Sequence, residues 1–94
     1  MLRLKYITVQ LFEQPGGLDV KKDVVAVLFP IVEGLSHKDV ASLHRAGYRA
    51  IMSAGFCEID FENKSVFVYR ESETLKMKPK DGDDRIICQF LGFT

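Results

Sequence analysis

Residues 55–70 read GFCEIDFENKSVFVYR, and this stretch decides the fold of the 94-residue chain. In its first half, Glu58 and Asp60 alternate with apolar residues, which is the period-two pattern of a half-buried strand. A polar turn follows, and the second half is apolar on both sides of the backbone. The stretch therefore predicts a β-hairpin with strands over 55–61 and 65–70.

Two further strands are predicted before the hairpin. Residues 4–12 are rich in β-branched and aromatic side chains, and Pro15 with the glycines after it ends this run. Residues 23–29 are apolar on both faces, which is typical of a strand in the centre of a sheet, and Pro30 ends them. Together with the hairpin, these segments predict a sheet of four strands.

A short helix is predicted between the second strand and the hairpin. Ser36 and Asp39 have the spacing of a capping box, in which two side chains three positions apart satisfy each other's backbone N–H groups. Gly47 is a favourable residue just beyond a helix end. These signals predict a helix over 37–46.

The C-terminal segment is the most ambiguous part of the sequence. Residues 83–92 predict a helix, because acidic residues stand at the start, Asp81 or Asp83 is available as a cap, and Gly92 stands at the end. A strand over 85–91 is the alternative, since the isoleucines favour extended structure. The expected fold class is α+β: one domain over 1–94, with a mainly antiparallel four-stranded sheet and two short helices packed on it.

The charges of the chain cancel, because 13 lysines and arginines are matched by 13 aspartates and glutamates. This balance disfavours a nucleic-acid binder that relies on a broadly basic surface, and it equally disfavours a polybasic membrane-surface protein. No apolar run reaches the length of a membrane helix, and the N-terminus lacks the pattern of a signal peptide. We therefore expect a cytoplasmic protein with no nucleic-acid or membrane partner.

The cysteines and histidines form no recognisable metal-binding pattern. Cys57 and Cys88 stand among apolar residues, so we expect two buried, reduced thiols, whose distance from each other stays open. His37 and His44 lie seven positions apart, roughly on one face of the predicted helix. No acidic residue or cysteine stands at a spacing that completes a site with them. We expect neither a metal ion nor a cofactor.

Two surfaces are candidates for binding a protein partner. The first is the exposed face of the hairpin, where aromatic side chains stand within a polar rim and an arginine at the end suits an anion. The second is a basic loop that follows the hairpin and suits an acidic partner. The candidate residues are Glu58, Asp60, Phe67, Tyr69 and Arg70 on the first surface, and Lys76, Lys78 and Lys80 on the second.

Five segments between residues 28 and 91 resemble segments of short phage and prophage proteins. In these proteins an apolar run ending in Phe-Pro precedes a capped, His-containing helix and a Ser-Ala-Gly-Phe motif. The matching segments here are Leu28–Pro30, His37–Val40, Ser53–Phe56, Tyr69–Leu75 and Pro79–Asp83. The resemblance implies a phage or prophage accessory protein that binds, and in some cases inhibits, a host or phage protein.

Two of these segments are also similar to motifs of the Janus/phosphohistidine phosphatase family. His37–Val40 is similar to the motif in which the catalytic histidine begins a helix, and Val68–Ser72 is similar to a Val-Tyr-Gly-x-Ser motif. Arg70 and Glu71 replace the glycine of that second motif, and the Gly-rich stretch between the two motifs is missing. The resemblance implies that His37 acts as base or nucleophile while backbone amides hold the phosphate.

The sequence favours a non-enzymatic protein-interaction module over two other functions. One alternative is a small ligand-binding or phosphatase-like enzyme, in which the candidate catalytic residue His37 acts with Ser53, Tyr69 and Ser72. The other is a structural subunit of a phage particle. A homodimer formed through an edge strand is compatible with the interaction module, because an open sheet leaves two edges to cover.

Overall fold

The computed structural model describes residues 1–13, 20–43 and 49–93. Within these ranges the chain forms four strands and two helices, so the α+β class is confirmed. In chain order the elements are β1 (Leu2–Glu13), β2 (Val20–Phe29), α1 (His37–Leu43), β3 (Arg49–Asp60), β4 (Ser65–Tyr69) and α2 (Asp83–Leu91).

The strands form one sheet in the order β2-β1-β3-β4, and every neighbouring pair is antiparallel. Strand β3 begins at Arg49, well before the predicted start at Gly55, because its first half continues along β1 as far as Leu11. The register between these strands shifts between Thr8 and Val9. Such a shift interrupts the period-two alternation that reveals a strand in the sequence.

The prediction that residues 23–29 form a central strand is wrong, because β2 lies at an edge of the sheet. The segment is nevertheless apolar on both sides, since both of its faces are covered. Val27 and Phe29 pack into one hydrophobic cluster, and Ala26 and Leu28 pack into the other. Burial of both faces, rather than a central position, explains the apolar pattern.

The two helices lie on opposite faces of the sheet. Side chains of β1 alternate between the faces, so Ile7 joins a cluster with Val40 of α1, whereas Tyr6 joins a cluster with Ile87 of α2. We call these the α1 face and the α2 face. The protein therefore has three layers, with the sheet in the middle.

Helix α1 begins with the predicted capping box. The backbone N–H of Ser36 donates to Asp39 Oδ2 at 3.0 Å, and the backbone N–H of Asp39 donates to Ser36 Oγ at 3.1 Å. Hydrogen bonding of the Asp39 carboxyl to the backbone N–H and the side chain of Ser36 holds its pKa below the usual value. The remainder of the predicted helix, 44–46, lies outside the described residues, as does His44.

The C-terminal segment is a helix, as favoured, and not a strand. Gly82 and Gly92 flank it in the left-handed conformation, with φ values of 95° and 77°, which glycine adopts without steric cost. The predicted aspartate cap is wrong, because Gly82 occupies the N-cap position. Asp83 instead accepts a hydrogen bond of 2.7 Å from the Tyr6 hydroxyl, and the helix is thereby attached to the central strand β1.

Candidate functional site

The α1 face is only partly covered. Helix α1 packs beside β1, and the segment after β4 adds Leu75 and Met77 to the same cluster. The β3–β4 hairpin stays open on this face, where Phe67 is 64% exposed. Glu58 lies opposite Phe67 across the two strands. The structure therefore places the predicted residues Glu58, Phe67 and Tyr69 together on one open surface.

An aromatic row runs from the core to this open surface. Four successive ring contacts connect Phe29, His37, Phe56, Tyr69 and Phe67. Their centroid separations, in that order, are 5.3, 5.3, 5.9 and 5.8 Å. The first two contacts are edge-to-face, and the last is stacked, with 12° between the ring planes. We call this set the aromatic row; its outer end is the pair of the exposed Phe67 and the half-buried Tyr69.

His37 is a buried member of this row. Its side chain is 3% exposed, and Nε2 donates a hydrogen bond of 2.7 Å to the backbone carbonyl of Gly55, because a carbonyl oxygen can only accept. Burial lowers the pKa of the imidazole, and the nearby Lys5 ammonium lowers it further. The imidazole is therefore neutral, and one of its nitrogens is already engaged.

The structure does not bring the proposed catalytic partners of His37 together. Ser53 lies on the α2 face, where its hydroxyl is hydrogen-bonded to Thr8. Ser72 is buried and accepts the backbone N–H of Leu75 at 3.2 Å, so its hydroxyl holds a turn. Tyr69 contributes a ring to the aromatic row instead. This arrangement assembles no nucleophile and base at one point.

Gly55 allows the backbone to approach closely at the centre of the row. A Cβ atom at this position would lie 2.7 Å from Pro79 Cγ and 2.8 Å from the Arg70 carbonyl oxygen. Glycine permits this close approach because it has no Cβ atom. The same residue accepts the His37 hydrogen bond, so one position connects α1, β3 and the segment after β4.

Arg70 directly follows β4 and has a left-handed backbone conformation, with a φ of 59°. Its guanidinium carbon lies 5.1 Å from the centroid of the Phe56 ring, in a cation–π contact. A pocket of about 140 Å³ opens beside this contact, and His37, Phe56 and Lys5 form further parts of its wall. The pocket therefore adjoins the aromatic row through Phe56.

Lys5 is a member of this site that the sequence interpretation missed. It stands on β1 between Phe29 and Phe56 of the neighbouring strands, half-buried, and its ammonium donates a hydrogen bond of 3.0 Å to the Leu35 carbonyl. The alternation of 4–12 contains the signal, since Lys5 shares a face with the apolar residues Ile7 and Val9. A lysine on an otherwise apolar strand face therefore indicates a candidate site residue.

Several other candidates lie outside this site. The carboxylate of Asp60 stabilises the hairpin turn. It accepts hydrogen bonds from the side-chain amide of Asn63 and from the backbone N–H groups of Glu62 and Asn63. The hydrogen bonds from Asn63 lower the pKa of Asp60. The basic loop residues are exposed and do not line the pocket beside Arg70; they are Lys76, Lys78 and Lys80.

The two cysteines are free thiols with different burial. Cys57 is fully buried in the α2-face cluster, and burial raises its pKa to about 11. Cys88 is only partly buried, which corrects the expectation of two buried thiols. Partial burial and the nearby Asp84 raise its pKa. Neither thiol is activated as a nucleophile by its surroundings.

The described part of the chain contains no group of three or more His, Cys, Asp or Glu side chains arranged to hold a metal ion. Likewise, no helix found in residues 1–13, 20–43 and 49–93 has the length and hydropathy to cross a membrane. No family model, no curated protein and no solved structure matches the chain.

Proposed function

We propose that this protein is a non-enzymatic interaction module that binds another protein through the outer end of the aromatic row. The observation that carries the proposal is the stacked pair of Phe67 and Tyr69, of which Phe67 is 64% exposed. The ion pair between Arg3 and Glu58, at 3.0 Å, borders this pair. Exposed aromatic side chains within a polar rim are typical of protein-interface centres.

The position of β4 supports the same proposal. This strand lies at the outer edge of the sheet, and it contains no charged residue, no proline and no register shift. The opposite edge strand, β2, includes the exposed Asp23 and has a shifted register against β1. Charges and irregularities of this kind prevent an edge from pairing with another chain. Strand β4 lacks them, which favours the addition of a partner strand there.

The environment of His37 favours binding over catalysis. A phosphatase-like mechanism needs an imidazole that a substrate can reach. Here the imidazole is 3% exposed and its Nε2 is bonded to Gly55. These contacts suit a side chain that positions Phe56 and the row beyond it.

The resemblance over residues 28–91 supports a finer proposal about origin. We infer a phage or prophage accessory protein that acts in the bacterial cytosol by binding, and in some cases inhibiting, a host or phage protein. Because the total charge is zero, specificity would come from shape and local charge rather than from long-range steering. A homodimer through β4 and a structural subunit of a phage particle are the competing assemblies.

Affinity capture from a bacterial host lysate tests the proposal with two matched variants, Phe67→Ser and Phe90→Ser. Phe90 lies on α2 and is 60% exposed, against 64% for Phe67, so both variants remove a similar exposed ring. We expect the wild type and Phe90→Ser to retain one stoichiometric protein, identified by mass spectrometry. Phe67→Ser should lose that protein while its circular dichroism spectrum stays unchanged.

Two results would overturn the proposal. One is recovery of the same partner by Phe67→Ser in undiminished amount. The other is the absence of any stoichiometric partner together with a monomeric mass by light scattering. Light scattering of the wild type could instead show a dimer or a ring, and Phe67→Ser could dissociate it. In that case the partner would be a second copy of this chain rather than a foreign protein.

A further inference from the structure

Two cations share the pocket beside the aromatic row without a carboxylate partner. Lys5 and Arg70 both line this pocket. Neither Lys5 nor Arg70 forms an ion pair with a carboxylate of the described residues. Lys5 is half-buried between two phenylalanines, and its ammonium has the Leu35 carbonyl as its hydrogen-bond acceptor. A partly buried charge with a single neutral acceptor is stabilised by an incoming anion.

The geometry of Arg70 suits a planar anion. Its guanidinium lies against the face of the Phe56 ring, at 5.1 Å from the centroid. No hydrogen bond or ion pair among the described residues engages the Arg70 guanidinium, so its N–H groups can donate to a ligand. Those donors form a fork that matches the two oxygens of a carboxylate.

The charges around the pocket favour a monoanion over a dianion. Glu71 and Glu73 also line it, and both are exposed, so the two glutamates offset the two cations. His37 adds no positive charge, because burial lowers the pKa of its imidazole. The glutamates repel any anion that enters, and they repel the two charges of a phosphate dianion more strongly than the single charge of a carboxylate. The volume of about 140 Å³ admits a single small group rather than a complete cofactor.

We propose that this pocket receives the carboxylate of an aspartate or glutamate side chain of the protein partner, clamped between Lys5 Nζ and the Arg70 guanidinium. The inference rests on the proposed interaction function and names the chemistry of the partner. Phe56 belongs to both the pocket wall and the aromatic row. An apolar partner residue packed on Phe67 and an acidic partner residue in the pocket would therefore bind side by side in one interface.

The test uses the isolated protein and sodium acetate as the probe. The ¹⁵N-labelled chain is titrated with acetate in exchange for chloride at constant ionic strength and neutral pH, and amide shifts are recorded. We expect saturable shifts at His37, Phe56 and Arg70 with a millimolar dissociation constant. Lys5→Met and Arg70→Gln should weaken binding about tenfold or more, the loss expected for one charged hydrogen bond.

Lys64→Met is the matched control. Lys64 is an exposed turn residue that shares the left-handed backbone of Arg70, with a φ of 51°, and it does not line the pocket. The Lys64→Met variant should bind acetate with the same affinity as the wild type. Acetamide, the neutral counterpart of acetate, should leave the pocket signals unchanged, and inorganic phosphate should bind more weakly than acetate.

Three outcomes would overturn the carboxylate anchor: shifts that do not saturate, equal binding by Lys5→Met and the wild type, or tighter binding of phosphate than of acetate. These outcomes are independent of partner capture. If acetate binding fails while capture still depends on Phe67, the interaction function stands without this anchor. If acetate binds and no partner is captured, the pocket is an anion site and the proposed function is the part that fails.

Discussion

The two faces of the sheet differ in how completely they are covered. On the α2 face, helix α2 and the sheet bury Tyr6, Ile59 and Ile87 almost completely. On the α1 face, helix α1 covers one end, and the β3–β4 hairpin stays open with Phe67 exposed. The chain therefore uses one face mainly for stability, and the other offers aromatic side chains to a partner. Substitutions on the two faces should separate stability from binding.

Polar contacts reinforce the closure of the α2 face. The Tyr6 hydroxyl donates to Asp83, and the side chains of Thr8 and Ser53 are hydrogen-bonded to each other. Burial and the Asp83 contact raise the pKa of Tyr6. These groups are satisfied inside the protein, as buried polar groups must be. The α1 face instead presents the cations of its pocket without carboxylate partners among the described residues.

The largest expected effect comes from removing the core of the closed face. Ile87→Ala deletes a fully buried side chain of α2 and should lower the free energy of unfolding by about 2–5 kcal/mol. Phe67→Ala, on the open face, should cost less than about 1 kcal/mol, because the ring is largely exposed. Urea denaturation of both variants measures the difference. Equal losses at the two positions would contradict the division of roles between the faces.

A smaller loss of folding stability is expected on substitution of Gly55, where contacts from both faces of the sheet meet. Gly55→Ala places a methyl group against Pro79 and the Arg70 carbonyl, at the separations of 2.7 and 2.8 Å given above, and should destabilise the fold by about 1–3 kcal/mol. A double-mutant cycle with Pro79→Ala is the control. The second substitution removes the ring and should recover part of the loss. Strict additivity of the two changes would show that the close approach of Pro79 is not the cause.

Local signals in the sequence predicted much of the fold. The hairpin, the α1 capping box and α2 follow from side-chain periodicity and from residues at the element ends, all within a few positions of one another. The edge position of β2 does not follow, because an apolar strand looks the same at an edge or in the centre when both faces are covered.

The site was predictable only in part, for a similar reason. Glu58, Phe67 and Tyr69 share a face because strand alternation and hairpin register are local, and the sequence predicted this. The pocket depends on long-range contacts: Lys5 meets Leu35, and His37 meets Gly55. No spacing in the sequence encodes which carbonyl a histidine will reach across the sheet. Sequence reasoning therefore kept His37 as the candidate catalytic residue of the alternative function, whereas the structure gives it a buried hydrogen bond.

The smallest expected effect is a pH dependence of stability that comes from His37. Its folded-state pKa lies below the usual value of 6.5, so below pH 6.5 the unfolded chain binds the proton more readily than the folded one. Stability is therefore fully present above that pH and is lost as the pH falls through this window. The maximum slope is about 1.4 kcal/mol per pH unit for one such group.

Urea denaturation between pH 6.5 and 5 isolates this contribution, because the lowered pKa values of Asp39 and Asp60 act only below their usual 3.8. His37→Asn should flatten the slope, whereas His44→Gln, which leaves His37 as the single histidine, should retain it. An unchanged slope in His37→Asn would mean that another group titrates. Because His37 contacts both Phe29 and Phe56, its protonation should also disturb the open-face aromatic row, so binding through Phe67 should weaken over the same pH range.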